Sequence, residues 1–485
     1  MTTENSGRNA QWRAELRGAM SAKERGTIPR VKMPELDPAY RVTCNEEVNQ
    51  GISAEQAVLE ATRCMDCPDP QCVTGCPVHI DIPGFIKNIQ REDFEAAAAT
   101  IRLSSALPAV CGRVCPQEKQ CESRCIYHKM KKEPVAIGYL ERFAADTDRC
   151  NPCRKPVERP ASNGIKVAVA GSGPAGLSFA GDMARRGFEV TVFEALHEIG
   201  GVLKYGIPEF RLPNSIVDSE IATLEALGVK FVKDCLVGKT ISMEDLETEG
   251  FKGIFVASGA GLPRFMGIPG ENLIGIMSSN EYLTRVNLMG AGREGADTPV
   301  AKGKTAAIIG GGNTAMDSVR TARRMGADRA MIVYRRSEEE MPARAEEIKH
   351  AKEEGVEFMT LHNPIEYLGD ERGHVRAMRV QRMTLGEPDE SGRRSPVAIE
   401  GAIEEIPVDM VIVSVGVSPN PLIPNSVDGL TVSRRGTIEV DGSTMESSVK
   451  GLYAGGDIVR GGATVILAMG DGKKGAEAMA KALLG

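Results

Sequence analysis

The chain has 485 residues, 59 basic against 66 acidic side chains for a net charge of −7, and 42% hydrophobic and 26% charged residues. That composition is ordinary for a soluble globular protein of about three domains at roughly 150 residues each, and the missing basic surplus excludes a nucleic-acid-binding surface. No apolar run reaches the roughly 18 residues a membrane helix needs, and the opening MTTENSGRNAQWRAELRG lacks a signal-peptide core. A reducing cytoplasm is therefore expected, where clustered cysteines serve metals or redox chemistry rather than disulfides.

The first zone, residues 1 to 160, is predicted to be α-helical, with SAEQAVLEATRC and REDFEAAAATIRLSSAL as short helices. It holds all of the 12 cysteines except Cys235. Four lie in CMDCPDPQCVTGCP, as C-x2-C-x4-C-x3-C-P, and four in CGRVCPQEKQCESRC, as C-x3-C-P-x5-C-x3-C. Structural zinc sites usually pair two CxxC hairpins, and the second knot has none. Closely spaced thiolates ending in Cys-Pro are instead the habit of 4Fe–4S ferredoxins, where a fourth cysteine reaches across to the other cluster. Eight thiols would serve two such clusters. The Pro- and Arg-rich CNPCRKPVERPASNG reads as a linker. Its Cys150 and Cys153 read as solvent-facing bystanders, and the isolated Cys44 and Cys235 as packed residues.

Beyond the linker the order becomes strand, glycine turn, helix, strand. KVAVAG, SGPAGLSFAGDMARRG and FEVTVFE form one unit, with Gly171, Gly173 and Gly176 as its fingerprint and Glu194 closing its second strand. Glycines there let backbone meet a pyrophosphate at a helix N-terminus, and the acid accepts from ribose hydroxyls. KTAAIIG, GGNTAMDSVRTARRMG and DRAMIVYRR repeat the order, with Gly310, Gly312 and Ala315. Here the second strand ends in Arg335 and Arg336, a fork suited to a 2′-phosphate, so NADPH is expected over NADH. Each unit gains a further strand, in GIFVASGAG and MVIVSVGVSPN, which marks an internal duplication.

Over 165–485 the sequence resembles two-dinucleotide-binding flavoproteins, in which a late GGD segment completes the FAD site. That resemblance implies FAD in the first fold and NADPH in the second. It extends the expected cofactor contacts to Pro174, Ala175, Gly201, Leu203, Arg211, Gly259, Asn313, Thr314, Gly456, Asp457, Ala463 and Thr464. The segments CPVHIDIPGFI, VCGRVCP, EPVAIGYLERF, YGIPEFRLP, GGGNTAMD and AGGDIVRG make the whole chain similar to the NADPH-dependent glutamate synthase small subunit. It is as similar to the large subunit of NADH-dependent reduced ferredoxin:NADP oxidoreductase and to sulfide dehydrogenase. Its N-terminal module resembles that of dihydropyrimidine dehydrogenase.

The fold implied is α/β, with two tandem Rossmann-like domains of the three-layer ββα type after an α-helical iron–sulfur domain. Expected boundaries are 1–160 for iron–sulfur, 161–290 with 420–485 for FAD, and 291–419 for NADPH. The resemblance gives one cluster Cys64, Cys67, Cys72 and Cys125. It gives the other Cys76, Cys115, Cys121 and Glu141, with Cys111 the alternative ligand by simple cysteine counting. The implied activity is electron transfer from NADPH through FAD and two 4Fe–4S clusters to a second redox subunit. That subunit is expected to be the glutamate synthase large subunit, converting L-glutamine and 2-oxoglutarate to two L-glutamate. The alternative is an electron-bifurcating assembly with a ferredoxin-reductase-like flavoprotein, and ferredoxin is a further expected partner. No membrane partner and no catalytic residue beyond the flavin are expected.

Overall fold

A computed structural model describes residues 7–390 and 392–485. The N-terminal region is helical. Its elements include α1 (Ala54–Arg63), α2 (Ile82–Gln90), α3 (Phe94–Arg102), α4 (Pro108–Val114) and α5 (Ile137–Cys150). Local chemistry starts them: Ser53 and Gln56 form a capping box on α1, and Asp81 accepts from the Gly84 N–H to open α2. Helices α4 and α5 lie unusually close. A Cβ on Gly112 would fall 2.6 Å from the backbone of Arg142, so only glycine allows this approach.

The first five-stranded sheet runs β15-β4-β1-β2-β3, all parallel. Its strands are β1 (Lys166–Ala170), β2 (Glu189–Phe193), β3 (Lys230–Val232), β4 (Phe251–Val256) and β15 (Leu452–Ala454). The near-continuous apolar runs suit strands covered on both faces. Helices α6 (Pro174–Arg185) and α10 (Val465–Leu484) share one core with α7 (Asn214–Ala226) and the N-terminal helices. Phe193, Leu246, Phe251 and Ile438 fill the other face.

The second five-stranded sheet runs β6-β13-β7-β8-β9, from β6 (Ile276–Ser278), β7 (Thr305–Ile309), β8 (Arg329–Tyr334), β9 (Glu357–Thr360) and β13 (Met410–Val413). Helices α8 (Asn313–Arg324) and α9 (Ala345–Glu353) cover one face. The antiparallel sheet of β10 (His362–Gly369), β11 (Val375–Pro388) and β12 (Arg394–Pro407) covers the other, completing a ββα sandwich. Strands β5 (Leu262–Pro263) and β14 (Val417–Ser418) pair where the chain passes between the folds. One difference from the sequence reading appears. Strand β6 precedes residue 291 yet pairs with β13, and Tyr282 and Leu283 enter the second core. The second fold therefore recruits chain upstream of the expected boundary, because β13 would otherwise be left an open edge. Among the described residues no helix is long and apolar enough to cross a membrane.

Candidate functional site: a two-nucleotide cleft beside two thiol clusters

A cleft of about 2000 Å³ runs between the two parallel sheets. Both fingerprints open onto it. Gly171 (φ +106°) and Gly310 (φ +141°) hold equivalent positions: a Cβ would lie 2.5 Å from the Ala257 carbonyl oxygen in one and 2.3 Å from that of Ser414 in the other. Around a Cβ at Gly173 nothing lies within 4 Å, so that backbone faces open space suited to a pyrophosphate.

Pro174, Ala175, Gly201, Arg211, Gly259, Gly456, Asp457, Ala463 and Thr464 line the cleft from the first fold, and Gly312, Asn313, Thr314, Arg335 and Arg336 from the second. Gly176, Leu203 and Ala315 lie behind the wall. Gly176 has no room for a side chain, a Cβ falling 2.1 Å from the Gly171 carbonyl oxygen, and Leu203 and Ala315 are fully buried in the cores. These three shape the turns rather than touch the space between them.

Glu194 is aimed by its neighbours. Its Oε2 accepts from the Ser172 N–H (2.9 Å) and hydroxyl (2.5 Å), and Oε1 accepts from the Leu196 N–H (2.9 Å). A carboxylate has about four lone-pair sites, so one remains for a ribose hydroxyl. Asp457 accepts from the Ala463 N–H at 2.9 Å, and burial raises its carboxyl above the ordinary value. The GGD loop is braced by a residue the sequence reading missed. Fully buried Asp471 accepts from the Gly456 N–H and bidentately from Arg460, at 2.6 and 2.7 Å.

The arginine pair divides. Arg335 is exposed on the cleft wall, whereas Arg336 is buried, ion-paired with Asp389 and donating to the Arg394 carbonyl at 2.8 Å. Only Arg335 presents an open fork. Arg336 instead ties the tip of the β11–β12 hairpin to the end of β8.

Two groups of cysteines lie in the N-terminal region, one of four thiols and one of three thiols beside a carboxylate. Cys64, Cys67, Cys72 and Cys125 lie together: burial raises the Cys72 thiol, and proximity to Cys64, Cys125 and Cys67 raises it further. Buried Lys87 donates to the Cys64 carbonyl at 2.7 Å and supplies positive charge beside them, its ammonium lowered to about 8 by burial. Cys76, Cys115 and Cys121 form the second group. Burial pushes Cys76 up to about 11 and Cys121 well above the ordinary thiol, and each feels the Glu141 carboxylate. Glu141 is 5% exposed, and its Oε1 has no hydrogen-bond partner. Burial, with Glu220 adding to it, raises its carboxyl to about 8. An unpartnered buried acceptor costs about 1–3 kcal/mol unless a cation or proton meets it. The donors present thus fit two 4Fe–4S clusters, one with a carboxylate oxygen.

The second knot reaches the cleft itself. Val114 and Pro116 line it, Gln120 donates to the Thr464 hydroxyl at 3.4 Å, and the Cys111 sulfur lies 3.4 Å from that of Met469 on α10. Cys150 and Cys153 are exposed. Glu35, His350 and Glu353 also converge, but Arg41 and Lys349 pair with both carboxylates, so cations already meet these acids.

Residues 41–153 match the family described as dihydropyrimidine dehydrogenase domain II, 4Fe–4S cluster. Residues 165–472 match the pyridine nucleotide-disulphide oxidoreductases. The chain is 34% identical to the glutamate synthase (NADPH) small chain of Halomonas elongata, covering 92% of this chain and 94% of that one. The chain belongs to the glutamate synthase small-chain family. It is an NADPH-dependent oxidoreductase whose cofactors are FAD, NADPH and 4Fe–4S clusters. It is also 39% identical to the NADP(+)-dependent formate dehydrogenase subunit beta of Moorella thermoacetica, over 84% of this chain but only 59% of that relative's length. FprA of Mycobacterium tuberculosis, solved in complex with NADPH, shares the fold of 66% of this chain (84% of FprA) with a TM-score of 0.55 at 21% identity.

Proposed function

We propose that this chain is the electron-input subunit of a larger redox enzyme, most directly a glutamate synthase that forms two L-glutamate from L-glutamine and 2-oxoglutarate. The observation that carries the reading is the shared wall. One cleft is lined by both nucleotide fingerprints and by Val114 and Pro116, the residues flanking Cys115. FAD held there would supply the exchange between a hydride from NADPH and single electrons, and iron–sulfur clusters held by the cysteines would supply a path for single electrons.

The protein's own groups bind and orient. The open backbone at Gly173 and Gly312 receives the two pyrophosphates, Glu194 and Asp457 accept from sugar hydroxyls, and Arg335 recognises the 2′-phosphate. Cys64, Cys67, Cys72 and Cys125 hold one cluster, and Cys76, Cys115, Cys121 and Glu141 the other. No acid–base pair is needed. The thiol-rich sites suit a reducing cytoplasm.

A second reading is favoured by the 39% identity to a formate dehydrogenase subunit. The chain would then couple NADP(H) to another assembly, such as a bifurcating ferredoxin:NADP oxidoreductase. Anaerobic affinity purification from the native cell, with identification of the co-purifying subunit, separates the two. A glutamate synthase large subunit supports the first reading, and a different flavoprotein or a formate dehydrogenase subunit supports the second.

A further inference from the structure

The short stretch from Pro342 to Ala345 joins the second nucleotide fingerprint to the second thiol knot. On one side it is bonded to the fingerprint turn. The Ala343 N–H donates to the Gly311 carbonyl at 3.2 Å, and the Arg344 N–H donates to Asn313 Oδ1 at 2.8 Å. A backbone N–H can only donate, so this bond fixes which end of the Asn313 amide is the oxygen. The NH2 end is left for an acceptor in the cleft that Asn313 lines, such as a pyrophosphate oxygen. On the other side the same stretch holds the knot. The Arg344 guanidinium donates to the Arg113 carbonyl at 2.6 Å, in the last turn of α4, where a helix leaves its carbonyls unpaired. Glu118 accepts from the Ala345 N–H at 3.2 Å, which satisfies an N–H in the first turn of α9. Lys119 donates to the Pro342 and Ala343 carbonyls at 2.8 and 3.0 Å. Arg344 is buried and its guanidinium also pairs with Glu346 at 3.0 Å, whereas Lys119 lies on the surface.

A stretch bonded to two sites passes order between them. A ligand that stills the turn also stills what is bonded to the turn, through a coupling free energy that both sites share. We propose that Arg344 is a positioning residue that joins the NADPH seat to the second thiol knot, so that nucleotide occupancy stiffens the loop carrying Cys115 and Cys121. Arg344 divides its work in a way that makes the claim separable. Its backbone N–H serves Asn313 and survives replacement of the side chain, while only its guanidinium reaches Arg113. Removing the side chain should therefore spare the nucleotide seat and cut its tie to the knot. The inference rests on the nucleotide placement and the ligand set proposed above.

The test is amide hydrogen exchange, read by mass spectrometry on the full chain purified anaerobically with its flavin and iron, with and without saturating NADP+. Wild type is compared with Arg344→Met, Arg344→Lys and Lys119→Met. In the wild type, NADP+ should slow exchange both at 310–316 and at 113–121. In Arg344→Met the protection at 310–316 should stay and that at 113–121 should be lost. Arg344→Lys keeps a charged donor and should restore it, which a general loss of packing would not allow. Lys119→Met should reduce it, and this surface change decides by the same comparison should Arg344→Met lose flavin or iron. Val114 and Pro116 line the cleft, so direct contact with the nucleotide is the competing cause. Protection at 113–121 that is equal in the wild type, Arg344→Met and Lys119→Met establishes that cause and overturns the inference. Protection at 310–316 with none at 113–121 in the wild type also overturns it, and leaves the nucleotide placement standing. No protection at 310–316 overturns that placement and the inference with it.

Discussion

Arg211 donates through one nitrogen to both carboxylate oxygens of Asp317, at 2.6 and 2.7 Å. Arg211 comes from the YGIPEFRLP segment beside the first nucleotide site and Asp317 from the fingerprint helix of the second. Both are buried, and Arg211 also reaches Glu347 at 3.2 Å. The contact fixes the two folds relative to each other across the cleft. Arg211→Met leaves two buried acids without this partner, a loss of about 3–5 kcal/mol. Denaturant unfolding of the variant should show that loss, and hydride transfer from NADPH to FAD should slow while NADPH affinity changes little.

The Glu141 assignment predicts a particular pattern of iron loss. Glu141→Ala should remove about half the iron, and Cys72→Ala the other half, since each opens a different cluster. Glu141→Gln keeps an oxygen donor and should retain most of it. Iron analysis with low-temperature EPR checks this, and full iron in Glu141→Ala would return the oxygen to a purely structural role.

Nucleotide preference should rest unequally on the two arginines. Arg335→Ala removes charge-assisted bonds worth roughly 1.5–3 kcal/mol, so NADPH should weaken at least tenfold while NADH hardly changes. Arg336→Ala removes the tie from the end of β8 to the β11–β12 hairpin, so it should lower thermal stability and shift both nucleotides similarly. Steady-state KM values for the two nucleotides decide. Equal selectivity loss in both variants would restore the symmetrical fork.

The junction between the iron–sulfur region and the second fold should be sensitive to acid. Arg41 pairs with Glu354 at 2.8 Å and Glu353 at 2.9 Å, Arg320 and Arg324 share Glu354, and Arg344 donates to the Arg113 carbonyl at 2.6 Å. Burial works to raise the Glu347 carboxyl, but Arg211 and Arg320 bring it down to about 2. A carboxylate depressed in the folded state contributes stability that is complete above its unfolded value, about 4.3, and is lost as pH falls toward the folded value. Thermal unfolding should therefore weaken from about pH 4.5 downward, and Arg41→Met should weaken it at neutral pH as well. An unchanged melting temperature in Arg41→Met would show that the junction adds nothing to stability.

The fingerprints were legible because a strand–glycine–helix turn leaves a local trace: Gly171 and Gly310 have backbones that a side chain would obstruct, and the first and second folds repeat the same order. The thiol knots were legible from spacing. Glu141 was not, since a glutamate in GYLERF looks like any helix acid; only the resemblance pointed to it, and the physical signal is Gly112, whose missing side chain lets α4 approach α5. The separate fate of Arg336 depends on Asp389, 53 residues away, and Asp471 braces Gly456 from 15 residues further along the chain. Arg41 and Glu354 meet across 313 residues, a pairing no local pattern encodes. The early start of the second fold was missed for the same reason, as β6 is three residues long and acquires its meaning only beside β13.

The most direct test of the account is iron and acid-labile sulfide per FAD in the anaerobically purified wild-type chain. Two clusters held by Cys64, Cys67, Cys72 and Cys125 and by Cys76, Cys115, Cys121 and Glu141 predict about eight irons and eight sulfides per FAD. About four irons per FAD, or zinc in their place, would contradict it.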